Sequence, residues 1–280
     1  MKTCFNTITA GRDTDLFEIL TACGEAGFQG VEIDLDHLDA CLQQHSLEEV
    51  KSMLRSSRLG VASLMAFQLE VFGDAAPHLE NLRRASRLAV DLDCPTLLTY
   101  CVAEIPRNMS HDEALGRAAE RAGAYADAAA PVSIALEPIG RAELMGGPDA
   151  AREIAARSGR PNVGIMMDTF HYYLSQVQPD RIRAVPAESM LIVHINDCED
   201  LPIESLGDHH RLMPGLGILP LAEDLAALRD IGYTGFLSLE IFRPEYWALP
   251  VPETVRLGIS TLTEVMARSG VLDSAPLAAS

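Results

Sequence analysis

Four side chains with metal-ligand chemistry stand at the ends of four consecutive apolar runs. Glu137 ends VSIALE, Asp168 ends VGIMMD, His194 lies within LIVHIND and Glu240 ends FLSLE. Three carboxylates and one imidazole form a mixed hard site that suits Mn²⁺, Mg²⁺, Co²⁺ or Zn²⁺ and leaves room for substrate oxygens. Acidic side chains at the ends of buried strands are costly unless a cation or hydrogen bonds compensate them. The pattern therefore predicts one open, catalytic metal centre.

A second interpretation of these acids needs no metal. Each carboxylate by itself could cap the helix that follows it or pair with a basic neighbour such as Arg141 or Arg243. Four ligand-type residues at matching strand ends favour a shared cation over four separate structural roles.

The elements that must position these residues repeat eight times along the chain. Short β-branched and aliphatic runs alternate with Ala-, Leu-, Glu- and Arg-rich stretches of helical period, which is typical of a parallel sheet covered by helices. Eight such repeats predict one closed (β/α)₈ TIM barrel, in which catalytic groups lie at the carboxyl ends of the strands. The predicted strands are Thr3–Ile8, Gly30–Leu35, Gly60–Ala66, Thr96–Tyr100, Ser133–Glu137, Val163–Asp168, Leu191–Ile195 and Phe236–Ile241.

Two helix starts carry a signal of their own. Ser46 with Glu49, and Ser110 with Glu113, have the spacing of a capping box, in which side chain and backbone satisfy each other's orphan donors. These pairs predict helices that begin immediately after Ser46 and Ser110.

Length and composition limit the class of protein and its partners. The 280 residues, 48% of them hydrophobic, suit a single barrel domain over residues 1–270 followed by a loosely held tail at 271–280. The formal net charge of −18 argues against nucleic acid as a partner. No apolar run approaches the roughly 18 residues of a membrane span, and the six cysteines form no CxxC pair. We expect a cytoplasmic protein with a small-molecule partner and no membrane contact, with homo-oligomerisation left open.

Five segments of the sequence resemble the xylose-isomerase-like superfamily of sugar isomerases and epimerases. They are ALEPIGR, MMDTFHYYLS, VHINDCED, DHHRLMPGLGILPL and SLEIFRPEYW. The likeness runs from the opening MKTCFN to FRPEYW and is greatest to the bacterial inosose isomerases. One departure is Leu216, since related sequences commonly read PGEG or PGQG where this chain has PGLG.

The resemblance implies roles for six residues. Four of them are expected to hold one divalent metal ion, with Mn²⁺ as the first expectation: Glu137, Asp168, His194 and Glu240. Glu137 and Glu240 are also expected to move the substrate proton, and His171 and Arg211 to contact substrate oxygens. The expected reaction is isomerisation of an inosose or related polyol-type sugar through an enediolate that the metal stabilises.

Several alternatives remain open at this point. A ketose 3-epimerase, an inosose dehydratase or a C-glycoside-cleaving lyase would begin with the same proton abstraction. A barrel that binds a sugar without chemistry is the non-enzymatic alternative. From the residues alone, His171 lies one helical turn beyond Asp168 and Arg211 follows the seventh strand, and either could equally be a solvated surface residue.

Overall fold

The computed structural model describes residues 1–272, in which eight parallel strands close into a barrel. The strands follow one another around the barrel in chain order, and the eighth closes onto the first, with Lys2 opposite Phe236. They are β1 (Lys2–Asn6), β2 (Gly30–Asp34), β3 (Gly60–Gln68), β4 (Thr96–Tyr100), β5 (Ser133–Glu137), β6 (Val163–Asp168), β7 (Met190–Ile195) and β8 (Phe236–Leu239). The predicted TIM barrel is confirmed.

Helices connect the strands and cover the outside of the barrel. They are α1 (Leu16–Ala26), α2 (Leu35–Leu42), α3 (Leu47–Ser56), α4 (Ala76–Asp91), α5 (His111–Ala129), α6 (Pro148–Ser158), α7 (Thr169–Leu174), α8 (Pro179–Arg183), α9 (Leu221–Asp230), α10 (Pro244–Trp247) and α11 (Val251–Arg268). Both predicted capping boxes are present, at the starts of α3 and α5. No helix in the described part of the chain is long and apolar enough to cross a membrane.

The predicted strands agree with the observed ones to within two residues at each end. The largest differences are at the carboxyl ends of β1, β3 and β8. In β1 the Asn6 side chain accepts a hydrogen bond from the Ile8 backbone N–H and starts a 3-10 turn, so the strand ends there although Ile8 is apolar.

The core has two layers because successive side chains of a strand point to opposite faces. Seven apolar residues form a separate cluster inside the barrel: Cys4, Ala62, Met65, Leu98, Ala135, Met166 and Ile192. The second and larger cluster lies between the strands and the helices, and includes Ile165 and Met167 from either side of Met166. The inner layer thus identifies which positions face the barrel axis in six of the strands, β1 and β3 to β7.

The predicted tail, 271–280, falls mostly on residues 273–280, which lie outside the described residues. The proposed domain boundary at residue 270 stays a prediction.

Candidate metal centre

The period of the strands places the predicted ligands on the barrel axis. Glu137, Asp168 and His194 each come two residues after an inner-layer residue, namely Ala135, Met166 and Ile192. Residues two apart in a strand share a face, so these side chains point inward, one level nearer the carboxyl ends of the strands. The fourth, Glu240, follows directly after the end of β8.

The four side chains meet at one point. Each offers one ligand atom, and these atoms all lie within 4.8 Å of one another. His194 Nδ1 is 3.1 Å from Glu240 Oε2, 3.6 Å from Asp168 Oδ2 and 3.7 Å from Glu137 Oε1. None of the four is more than 5% exposed. The structure therefore brings together all four predicted ligands.

The chemistry of this cluster fits a divalent cation. His194 Nδ1 is buried and makes no hydrogen bond within residues 1–272, yet it faces three carboxylate oxygens. Burial and the neighbouring Glu240 raise the pKa of Glu137 well above its ordinary value, and burial also raises that of Glu240. Crowded acidic oxygens beside an imidazole nitrogen are the donor set that Mn²⁺, Co²⁺ or Zn²⁺ would satisfy.

Protons compete for the same atoms. Burial acts to lower the pKa of His194, but Glu240 and Glu32 outweigh it and raise that pKa well above its ordinary value. A cation that binds at Nδ1 must therefore displace a proton.

Glu32, which was not among the residues predicted from the sequence, anchors the other side of the histidine ring. Its Oε2 lies 2.8 Å from His194 Nε2, and neither side chain is exposed. Ser238 Oγ donates to Oε2 at 2.7 Å, Asn6 Nδ2 donates to it at 3.0 Å, and Ser63 Oγ donates to Oε1. Because these donors come from β1, β3 and β8, Glu32 is held on several sides. The sequence does contain a sign of this role. A glutamate in the middle of the aliphatic strand GVEID requires a buried partner.

The two carboxylate oxygens of Asp168 make different contacts. Its Oδ1 accepts hydrogen bonds from the backbone N–H groups of Phe170 (2.7 Å) and His171 (3.1 Å), which caps α7. Its Oδ2 faces His194 Nδ1. One carboxylate therefore both starts the helix and contributes to the cluster, because its two oxygens point in different directions.

Arg211 is buried beside the cluster rather than solvated. Only 1% of its surface is exposed. Its Nη1 donates to Asp168 Oδ2 at 2.7 Å and to Glu240 Oε2 at 3.0 Å, while Nη2 donates to Asp208 Oδ1 at 2.9 Å. The short hairpin that pairs Asp197–Cys198 with Arg211–Leu212 carries it to this position. The two basic neighbours named from the sequence bind elsewhere. Arg141 donates to the backbone carbonyls of Ile203 and Leu206, and Arg243 forms an ion pair with Glu199.

His171 is likewise buried, so its interpretation as a surface histidine is wrong. Its Nε2 accepts from Arg211 Nη2 at 3.2 Å and lies 4.0 Å from Glu137 Oε1. Burial lowers the pKa of His171 to about 4, so the ring is neutral at physiological pH. His171 and Arg211 thus form a polar pair against one side of the cluster.

Another buried acid near the site, Asp197, has a structural role. Asp197 is 1% exposed, and its carboxylate accepts hydrogen bonds from the backbone N–H groups of Cys198, Gly215 and Leu219. It thereby holds the loop that contains the PGLG segment, in which Leu216 is 53% exposed.

Comparisons with known proteins show the family to which the chain belongs. Residues 20–265 match the family described as xylose isomerase-like TIM barrel. The chain is 30% identical over 276 residues to an inosose isomerase of Bacillus velezensis, covering 96% of this chain and 98% of that protein. It is 29% identical over 260 residues to a 3-dehydroshikimate dehydratase of Pseudomonas aeruginosa, but these cover only 39% of that longer protein.

A solved structure extends the likeness to three dimensions. The crystal structure of IolI protein with a bound zinc atom superimposes with a TM-score of 0.87 at 26% identity, covering 96% of this chain and 99% of that one. The family match spans most of the barrel, and the resemblance noted in the sequence is confirmed. The chain belongs to the xylose isomerase-like TIM barrel family.

Proposed function

We propose that this protein is a divalent-metal-dependent isomerase that acts on an inosose or a related polyol-type keto sugar. The observation that supports it most is the buried meeting point of Glu137, Asp168, His194 and Glu240. Near full-length similarity to an inosose isomerase supports the substrate class. Manganese is our first candidate for the ion. The six free cysteines, all of them buried, are compatible with residence in the cytoplasm.

The four cluster residues would hold the ion at the carboxyl end of the barrel. When bound there, a divalent cation polarises the substrate carbonyl and stabilises negative charge that develops on its oxygen. His171 and Arg211 would bind the substrate hydroxyls on the neighbouring side. Because His171 Nε2 accepts from Arg211, the neutral ring carries its proton on Nδ1, which makes no hydrogen bond within residues 1–272 and is free to donate to a substrate hydroxyl. Arg211 adds positive charge, and would exchange one of its present contacts with Asp168, Glu240 or Asp208 to bind substrate directly.

Glu137 and Glu240 are the residues we assign to proton transfer. Glu137 ends β5 and Glu240 directly follows β8, so the two side chains approach the centre from well-separated directions. The Glu240 carboxylate accepts hydrogen bonds from Arg211 Nη1 at 3.0 Å and Asn6 Nδ2 at 3.4 Å. The Glu137 carboxylate accepts none from the described residues. Glu137 is thus the less constrained of the two, and we assign it the removal of the proton next to the carbonyl, with Glu240 returning one to the neighbouring carbon.

A second candidate is elimination of water after the same abstraction. The similarity to 3-dehydroshikimate dehydratases supports this second candidate. The two reactions share the first step and differ in whether a hydroxyl group leaves or a proton is returned.

The test combines metal analysis with isotope exchange. We expect purified protein to contain divalent metal in stoichiometric amount, and the metal-loaded enzyme to exchange a substrate C–H with D₂O in a panel of inososes and ketoses. Mass analysis of the product separates an isomer from a product that has lost water. Protein that holds no stoichiometric metal and exchanges no C–H after metal is added would contradict the proposal and favour a barrel that only binds sugars.

A further inference from the structure

A separate cavity lies on the outside of the barrel, between α7, the segment that leads into α8, and the start of α9. Its volume is about 440 Å³, which is within the range of small-molecule sites. None of the four cluster residues lines it. Its walls are largely apolar and come from Tyr172, Tyr173, Val177, Pro179, Ile203 and Pro220.

One carboxylate in this cavity has no counterpart. Asp224 is only 6% exposed, although it lines the cavity, and its carboxylate accepts no hydrogen bond and forms no ion pair within residues 1–272. Burial, followed by the charge of the adjacent Glu223, raises the pKa of Asp224 to about 7. A buried acid without a partner is unusual, because desolvation of its charge is costly unless something compensates it.

The charge of the lining indicates what would compensate it. Glu223 also lines the cavity, and no lysine or arginine does. A metal ion would need several oxygen ligands, whereas only one buried carboxylate is present. An organic cation needs one charged acceptor and an apolar surface for the rest of the molecule, and the cavity has both.

We infer that this cavity binds a small organic cation, an ammonium or guanidinium group on an apolar body, with Asp224 as its counter-ion. The cationic N–H groups donate charge-assisted hydrogen bonds to the Asp224 carboxylate. The apolar body lies against Tyr172, Ile203 and Pro220. The site is distinct from the metal centre and does not depend on the proposed isomerase activity.

Calorimetric titration of the full chain with benzylamine and with benzyl alcohol tests the inference. The two probes have nearly the same shape and differ in charge. We expect benzylamine to bind at least about tenfold more tightly, the amount that one hydrogen bond to a charged group contributes. In Asp224→Asn this preference should disappear. Glu223→Gln removes the same charge from an exposed neighbour and should retain most of the preference.

A second variant tests the cavity independently of its charge. Val177→Trp fills the space while leaving Asp224 in place, and should abolish binding of benzylamine. Failure of the wild-type protein to bind the amine would overturn the inference. So would equal binding of the amine and the alcohol, or binding that both Asp224→Asn and Val177→Trp leave unchanged.

Discussion

Glu32 Oε2 and His194 Nε2 lie 2.8 Å apart in the interior of the barrel, with neither side chain exposed to solvent. The Glu32 carboxylate binds Nε2 of the imidazole. The other ring nitrogen, Nδ1, therefore faces Glu137, Asp168 and Glu240. A carboxylate behind a metal-binding histidine fixes the ring orientation and increases its basicity.

Glu32→Gln should weaken metal binding by about 10- to 100-fold, because the ring loses its charged anchor. Competition with a chelator measures this directly, without any substrate. The matched control is Glu25→Gln, which removes an exposed glutamate on α1 and should leave the affinity as it is in the wild type. Unchanged metal affinity in Glu32→Gln would show that the contact between Glu32 and His194 has only a structural role.

Asp168 and His171 should separate metal binding from substrate binding. Asp168→Ala removes a proposed ligand oxygen and should lose both metal and activity. Asp168→Asn keeps an acceptor for the start of α7 while removing the charge, so metal loss in this variant reports on the site rather than on the helix cap. His171→Ala should keep its metal, as measured by elemental analysis, and lose mainly kcat/KM. Equal metal loss in Asp168→Ala and His171→Ala would refute the division.

Glu137→Gln and Glu240→Gln should each lower turnover by at least about a hundredfold, because an amide cannot accept a proton from carbon. Metal content must be measured for both variants, since Gln is a weaker ligand. The decisive readout is exchange of substrate C–H with D₂O in protein shown to hold metal. Exchange at nearly the wild-type rate in either variant would make that glutamate a ligand only.

Asp224 should make the protein less stable as the pH rises. Its pKa is about 7 in the folded protein against an ordinary 3.8, so the folded state holds the proton more tightly than the unfolded chain does. Below pH 4 the acid is protonated in both states and lowers the free energy of unfolding little. Between pH 4 and 7 this free energy falls, by on the order of 4 kcal/mol in total. Asp224→Asn should therefore unfold like the wild type near pH 4 and be clearly more stable at pH 8. Denaturant unfolding at both pH values measures the stability difference between the variant and the wild type. The same difference at pH 4 and at pH 8 would contradict the prediction.

The barrel could be predicted because its evidence is local. Most strands are short runs of β-branched and aliphatic residues, and each capping box spans four residues, so neither signal depends on distant parts of the chain. The end of β1 was placed two residues too late because the Asn6 side chain binds the Ile8 backbone N–H and ends the strand there. That hydrogen bond is not visible in the hydropathy pattern.

From the sequence alone, Glu137, Asp168, His194 and Glu240 could be assigned to one rim, because parallel strands of a barrel end on the same side. Whether they touch was decided by closure of the barrel and by the alternation of inward side chains, which bring atoms from β5 to β8 within 4.8 Å.

The burial of Arg211 and the anchoring of His194 by Glu32 were decided only by the tertiary structure. Arg211 reaches Asp168 across 43 residues, and Glu32 reaches His194 across 162. Such contacts depend on how distant segments pack in space, whereas residue type and local period show only that a polar side chain is present. The sequence therefore indicated the candidate ligands, and the fold determined which side chains hold them in place.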